Sequence, residues 1–564
     1  MRGDGRRRGT AGAGGQGGTA VERRRLGLGG DQGQRAPAAV QAGRAGPAVA
    51  EDAGRPAPGG RRKRRPDRGE AAARPVGGAR TGALRAAAAH AGRLRRRRAA
   101  RRRRPAGVPG VTAPNVVVLL ADQWRGQDQG WLDDTRGRAS QVRTPNLDRL
   151  ADGGAAVAGG RATSPVCGPS RASLLTGRLP HQNGVVANDL PLAPHVDTLA
   201  TALSGAGYRT GWIGKWHLAG LPRDKWVPPA ARPGIGRYVG VDCSHDHIDG
   251  HYYAGDGSRV DFTGYEPEVQ TDLAVEFLEE RNGPFFLTVS YNPPHDPYDS
   301  VPERLRTGYP AGVLRPPPNT PDTSGQREVQ RLYYSAITAV DAQIGRIVGA
   351  LDRLGLRQNT IIVVTSDHGD LLGAHGLRAK QSPYAEAVRV PMVINGPGVP
   401  ASRPTGLLGL VDLAPTLLGL LGLPPIGAYG RDLSDELRSG APLRPELLIG
   451  NWVSFDNGYD QGIGEWRGLI TTELTYARTA DGRPWLLFDD LTDPWQLDNL
   501  ATDPASAGRV TEADARLAAL LAQAGDTFAP ADRLLTDLGL VEDWNARERA
   551  LRGDRARLLP PPTR

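Results

Sequence analysis

Aromatic residues make up only 5% of this 564-residue chain, and cysteine is scarcer still, at 2 residues. Two cysteines, Cys167 and Cys243, cannot build a disulfide framework, which leaves one Cys167–Cys243 bridge as the only pairing to weigh. No apolar run reaches the ~18 residues of a membrane-crossing helix, so no membrane partner is expected. No Phe, Trp or Tyr occurs before Trp124. Without them, the Arg/Gly/Ala/Pro-rich residues 1–112 cannot bury enough apolar surface to offset chain entropy, and a disordered arm is expected there.

Basic excess is also missing from most of the chain, despite a formal charge of +10. Residues 1–112 hold 28 Lys+Arg against 7 Asp+Glu, a net of +21, which leaves 43 basic and 54 acidic residues after them, a net of −11. An acidic body gives no general basic surface for nucleic acid. Nucleic-acid binding is left to the arm alone, through Arg61-Arg62-Lys63-Arg64-Arg65 and the run from Arg95 to Arg104, as a remote alternative. Twin arginines at Arg23-Arg24-Arg25 lead into a Gly-rich stretch with Asp31 and Gln32 instead of an apolar signal region, so a cytoplasmic location is expected. A start of translation near Val108 or Val111, which would remove the arm, is a further expectation, tested by the intact mass of the native protein.

What the body does have is a series of short apolar runs, each ending in polar groups. Val116–Ala121 leads to Asp122-Gln123, and Tyr208–Ile213 to Lys215 and His217. Phe285–Ser290 leads to His295, and Ile361–Thr365 to Asp367-His368. Continuous apolar runs of this length suit strands buried on both faces of a parallel sheet. Each polar end taken alone has an ordinary reading: a turn aspartate, a solvated lysine, a packed histidine. In one mostly parallel sheet all four ends converge on one rim, where open α/β sheets place their ligands. Lys215 and His217, two apart on an extended segment, are expected to point the same way.

Cys167 would in isolation be a buried small hydrophobe. Pro169 in a first turn and Gly177 as a stop predict a helix that begins at Cys167, where free N–H groups favour an anion. Thr144 is a candidate cap for another helix, from Pro145 to Ala151. The stretch Asp242-Cys243-Ser244-His245-Asp246-His247 looks like a metal cluster but lacks the spaced pairs of a zinc site, and substrate contacts are the preferred reading.

Cys167-Gly168-Pro169-Ser170-Arg171 continuing Ala172-Ser173-Leu174-Leu175-Thr176-Gly177-Arg178 resembles the signature of the formylglycine-dependent sulfatase family, within the alkaline phosphatase superfamily. Gly214-Lys215-Trp216-His217 is similar to that family's second signature, and the settings of His295 and Lys380 also match. Ala121-Asp122-Gln123-Trp124-Arg125 is closest to a branch that includes phosphonate monoester hydrolases. The resemblance implies an α/β fold with a large, mostly parallel central sheet flanked by helices, followed by a small antiparallel sheet with a helix. The expected division is a catalytic domain at 113–445, a subdomain at 446–530 and an extension at 531–564 that carries no assignment.

It also implies a sulfuric ester hydrolase that releases sulfate and an alcohol. A formylglycine-generating enzyme would convert Cys167 to an aldehyde, whose hydrate is the nucleophile, and a disulfide to Cys243 would consume that residue. The implied metal ligands are Asp122, Gln123, residue 167, Asp367 and His368 around one divalent ion, calcium before manganese. Arg171 would anchor the nucleophile's oxygens. Lys215 and Lys380 would contact the sulfate, His217 would orient the diol, and His295 would protonate the leaving group. The substrate is a small sulfate ester, with a phosphonate monoester or phosphodiester as the alternative.

Overall fold

In a computed structural model, residues 113–560 are described apart from 133–139, 281–282 and 311. The expected arm, its twin arginines and the start near Val108 or Val111 lie outside the described residues. The chain builds a nine-stranded sheet around β1 (Asn115–Asp122). Two short strands, β2 (Ala155–Ala156), which joins this sheet, and β3 (Gly160–Arg161), which does not, follow, and then β4 (Arg209–Lys215), β5 (Arg237–Val241), β6 (His251–Ala254) and β7 (Arg259–Asp261). β8 (Phe285–Pro294), β9 (Thr360–Ser366) and β10 (Met392–Asn395) complete it, in the order β2-β10-β9-β1-β8-β4-β5-β6-β7.

The central strands β9, β1, β8, β4 and β5 are parallel, and both edges are antiparallel. The sheet is therefore mixed. Its expected parallel character is confined to the centre, because β5, β6 and β7 are joined by short connections that only antiparallel neighbours allow.

β1 is buried along its whole length because its alternate residues feed two cores. Val116, Val118 and Leu120 pack with Leu174 and Leu175 of the Cys167 helix on one face. Val117, Leu119 and Ala121 pack on the other with Ile337 and Ile344 of the long helix Ser324–Arg353. Parallel register sets Ala121 beside Ser366 of β9 and beside Tyr291 of β8, while Gly214 of β4 pairs with Ser290. The carboxyl ends of all four strands therefore open on one rim.

Thr144 precedes the helix Pro145–Asp152 but does not cap it through its side chain. Its hydroxyl donates to Asp148 Oδ1 at 2.8 Å and accepts from Gly130 N at 2.7 Å. The free N–H groups of Asn146 and Leu147 instead donate to the carboxylate of Asp341, far along the chain on the helix Ser324–Arg353. After β11 (Leu408–Gly409), which pairs with β3 as a separate two-stranded parallel sheet, the chain forms a four-stranded antiparallel sheet. Its strands are β12 (Glu446–Asn451), β13 (Trp466–Thr471), β14 (Leu474–Thr479) and β15 (Pro484–Asp489), and the helix Ala507–Ala524 packs on it through Leu517, Leu520 and Leu521. Two further helices, Ala531–Asp537 and Val541–Arg552, occupy the stretch that the sequence left unassigned. No helix among the described residues is long and apolar enough to cross a membrane.

Candidate active site

The helix Cys167–Thr176 starts at the cysteine, with Val166 extended before it, and stops at Gly177, whose φ of 64° is the left-handed conformation glycine tolerates. Every residue of the helix is buried. Near its start, Gly168 N donates to Asn188 Oδ1 at 2.8 Å.

Cys167 Sγ lies 3.1 Å from His368 Nε2, 2.9 Å from Lys380 Nζ and 3.8 Å from Asp122 Oδ1. Asp122, Cys167, Asp367 and His368 each turn one ligand atom to a common point, all within 4.8 Å of one another. The donor set fits a divalent cation. His368 Nδ1 lies 2.8 Å from Gly369 O, a carbonyl that can only accept, so the proton sits on Nδ1 and the Nε2 lone pair faces the two carboxylates. Those carboxylates repel one another. Burial and then Asp122 push Asp367 up. Burial also opposes ionisation of Asp122, but Lys215, Lys380 and Arg171 hold it well below the usual carboxylate range. Two buried acids driven apart in this way are what a cation between them would relieve.

Gln123 adds a third oxygen to the same rim. Its backbone adopts a φ of 72°, its side-chain Nε2 donates to Asp370 Oδ2 at 2.8 Å, and Oε1 accepts from Lys380 Nζ at 3.1 Å. Asp370 thus fixes the amide with its oxygen inward.

Arg171 stands behind the carboxylates. Its guanidinium donates to Asp367 Oδ2 at 2.9 Å, Asp122 Oδ2 at 3.3 Å, Ser290 Oγ at 2.8 Å and Lys215 O at 3.0 Å. It ties β1, β4, β8 and the β9 end together from within the helix.

Lys215 closes β4 and donates to Asp122 Oδ2 at 2.7 Å. His217 does not follow by strand alternation. A φ of 58° turns its ring to Asp189 Oδ1 at 3.3 Å. Burial lowers the His217 pKa, but Cys243 and hydrogen bonds to Asp189 and Cys167 raise it well above the usual value. His295 donates Nδ1–H to Asp296 O at 2.7 Å, which leaves Nε2 to accept from Lys380 Nζ at 3.2 Å. Although burial and Asp122 oppose it, Lys380 and Lys215 hold the Cys167 thiol well below its ordinary pKa. Asp122, Gln123, Cys167, Arg171, Lys215, His217, His295, Asp367, His368 and Lys380, found separately along the sequence, thus come together at one rim.

His245 joins them. Its ring stacks on His295 at 4.2 Å between centroids, and its Nε2 lies 3.4 Å from Lys215 Nζ and 3.9 Å from Cys243 Sγ. The signal was available in Tyr238-Val239-Gly240-Val241, a strand ending one residue before Asp242, whose surroundings of Gly and Pro hid it. As the parallel neighbour of β4, β5 delivers Cys243 and His245 to the same rim. Asp189 and Asn188 carried no sequence signal.

A family model described as Sulfatase matches residues 114–423. An ulvan-active sulfatase of Formosa agariphila is 36% identical over 443 residues, 76% of this chain and 85% of that protein. An endo-4-O-sulfatase of Bacteroides thetaiotaomicron is 29% identical over 450 residues, 69% of this chain and 88% of that one. The structure of the phosphonate monoester hydrolase of Agrobacterium radiobacter superposes with a TM-score of 0.61 at 25% identity, covering 73% of this chain and 96% of its own. The matched span carries every strand end and the helix that bring Cys167 to Asp122, Asp367 and His368, and this chain belongs to the sulfatase family of sulfuric ester hydrolases.

Proposed function

We propose that the enzyme hydrolyses a sulfate ester with residue 167, as formylglycine, for its nucleophile. The observation that carries this is the position of Cys167 Sγ, at a helix N-terminus between Lys380 Nζ at 2.9 Å and His368 Nε2 at 3.1 Å. Hydrated formylglycine supplies two hydroxyls: one attacks sulfur, and the other, oriented by His217, loses its proton as the S–O–C linkage breaks, which drives off sulfate and restores the aldehyde. Asp122, Gln123, Asp367 and His368 are the residues that would hold the divalent ion. Bound there, it would draw electron density from an oxygen of residue 167 and favour its ionisation. Three oxygen donors against one imidazole favour calcium over manganese.

Lys215 and Lys380 neutralise the sulfuryl oxygens. Burial works against both cations, but Asp122 beside Lys215, and Cys167 with Asp122 beside Lys380, keep their pKa values raised, so both remain charged. His295 gives its Nε2 proton to the departing alcohol. In the free site burial, Lys380 and His245 hold its pKa well below the usual value. An anionic sulfate between the two lysines offsets those cations and lets the ring carry the proton it must donate. Arg171 secures Asp122 and Asp367, and so the frame that residue 167 works in.

Mass analysis of the peptide containing Cys167, for the change from thiol to aldehyde, tests the nucleophile and with it the partnership with a formylglycine-generating enzyme. A Cys167→Ser protein can accept a sulfuryl group but cannot collapse to an aldehyde. It should stop after at most one turnover, and sustained turnover would overturn the scheme. Ulvan is the first polymer to try as substrate, since the 36% identical relative is ulvan-active. A second reading, hydrolysis of phosphonate monoesters or phosphodiesters, is favoured by the Asp122-Gln123 pair and the 25% identical hydrolase structure. Turnover of an aryl sulfate against a phenylphosphonate ester decides between them.

A further inference from the structure

The helix Val541–Arg552 lies far beyond the matched family span, yet it sends one arginine to the back of the site. Arg547 is 0% exposed, held between Phe455 and Trp544 with its guanidinium carbon 4.6 Å and 5.3 Å from their ring centroids. A guanidinium taken out of water must meet acceptors on every side. Nε donates to Asn188 O at 3.1 Å and lies 3.5 Å from Asp189 Oδ2, Nη2 donates to Asp456 Oδ2 at 2.6 Å, and Nη1 donates to Glu548 Oε1 at 2.7 Å.

Both segments it grips lead to reacting groups. Asn188 is the residue whose side chain accepts from Gly168 N at 2.8 Å, next to Cys167. Asp189, in a left-handed conformation with φ 66°, accepts His217 Nε2–H at 3.3 Å. On the other side, Phe455 exchanges two hydrogen bonds with the Gln381 side chain, at 2.8 Å and 3.2 Å, and Gln381 adjoins Lys380 at a φ of 77°. Non-glycine residues in that conformation persist only where their surroundings hold them. Arg223 also pairs with Asp189, at 2.7 Å and 2.9 Å, but it fixes the carboxylate alone, whereas Arg547 also holds the backbone of the turn.

We propose that Arg547 is a positioning residue: it clamps the Asn188–Asp189 turn to the Phe455–Asp456 loop, and through them sets Cys167, His217 and Lys380 relative to one another. The inference rests on the reading of those three residues given under Proposed function. It makes the C-terminal helix part of the catalytic apparatus without touching substrate.

The test compares full-length Arg547→Lys and Asp456→Asn with Arg552→Met. Arg552 reaches Asp456 at 3.5 Å and Glu548 at 3.9 Å from the same helix but is not paired with Asp189, so its loss controls for general weakening of the C-terminal helix. Lysine keeps the charge of Arg547 but cannot span both segments. Hydrogen exchange, read by mass spectrometry, should quicken in peptides covering 166–170 and 186–190 in Arg547→Lys and Asp456→Asn and stay at the wild-type level in Arg552→Met. With 4-nitrophenyl sulfate, kcat of Arg547→Lys should fall by tenfold to about 100-fold while KM changes less than about twofold, as for a displaced catalytic group. Wild-type exchange and wild-type kcat in both variants would overturn the proposal. If the lysine variant does not fold, Asp456→Asn, altered at a partly exposed partner, decides alone by the same two readouts. A wild-type enzyme inert toward the sulfate ester would count against the sulfatase reading alone, because the exchange comparison does not depend on turnover.

Discussion

Replacing Asp341 by asparagine gives a stability change whose pH dependence can be worked out in advance. Asp341 accepts the N–H groups at the start of the helix Pro145–Asp152, at 3.1 Å from Asn146 and 2.8 Å from Leu147. Burial outweighs those bonds and pushes its carboxyl up from 3.8 to about 6. A raised carboxyl means that the folded protein binds the proton more tightly than the unfolded chain does. The stabilisation that follows is fully present below the unfolded value and is lost as pH rises through about 6. Over the whole range the shift amounts to about 3 kcal/mol, and between about pH 4.5 and about pH 7 to about 2 kcal/mol.

Asparagine cannot ionise, so the variant lacks this loss. Its stability relative to wild type should rise by about 2 kcal/mol across that window. Asparagine still presents one oxygen to the helix start but loses an acceptor toward the Asn146 side chain. That is a constant cost of about 1 kcal/mol that drops out of the comparison between pH values. Urea unfolding of both proteins at several pH values measures the difference directly. A difference that stays flat with pH would refute the argument that burial, not helix capping, governs this carboxyl.

Two other predictions follow from the same physical reasoning. Lys215→Met leaves Asp122 buried without its 2.7 Å partner, and should cost about 3–5 kcal/mol in urea unfolding while abolishing turnover of an aryl sulfate. A stability within about 0.5 kcal/mol of wild type would mean that Arg171 alone satisfies Asp122. Chelator treatment should lower Tm, and calcium at about 100 times its Kd should restore about 2.7 kcal/mol, since the ion would bind the folded carboxylate pair and not the unfolded chain. A Tm indifferent to chelator and to added calcium would remove the ion from the Asp122–Asp367 site.

How much of this was legible in the sequence depended on distance along the chain. β1 and β9 could be read because a strand buried on both faces has to be an unbroken apolar run, and Val116–Ala121 and Ile361–Thr365 are such runs. Their polar ends then fell on one rim, which parallel register alone dictates. β5 could not be read in the same way, being five residues with a glycine inside a Gly/Pro-rich stretch, so His245, read only as part of a stretch for substrate contacts, could not be placed on the rim where it stacks on His295. His217 reached the site by a route other than the one the sequence suggested. Strand alternation accounts for Lys215, but a left-handed residue aims the histidine, and nothing in Gly-Lys-Trp-His marks that conformation.

The residues hidden in the sequence share a physical character. Those that face the reacting group lie at strand ends and in short motifs, because a strand end is where the backbone leaves the sheet and a side chain is free to face a ligand. Those that hold them in place are buried polar groups paired over long separations: Asp341 with Leu147, Arg547 with Asn188, Gln381 with Phe455. A buried arginine and a surface arginine are the same letter, and only the acceptors brought by other parts of the chain distinguish them. Arg547 and Arg552 make the point within one helix turn and a half, since the first is sealed against Asp189 while the second, 11% exposed, pairs with Asp456 and Glu548. If exchange and kcat move together in Arg547→Lys and not in Arg552→Met, the difference between those two letters will have been set by residues more than 300 positions away.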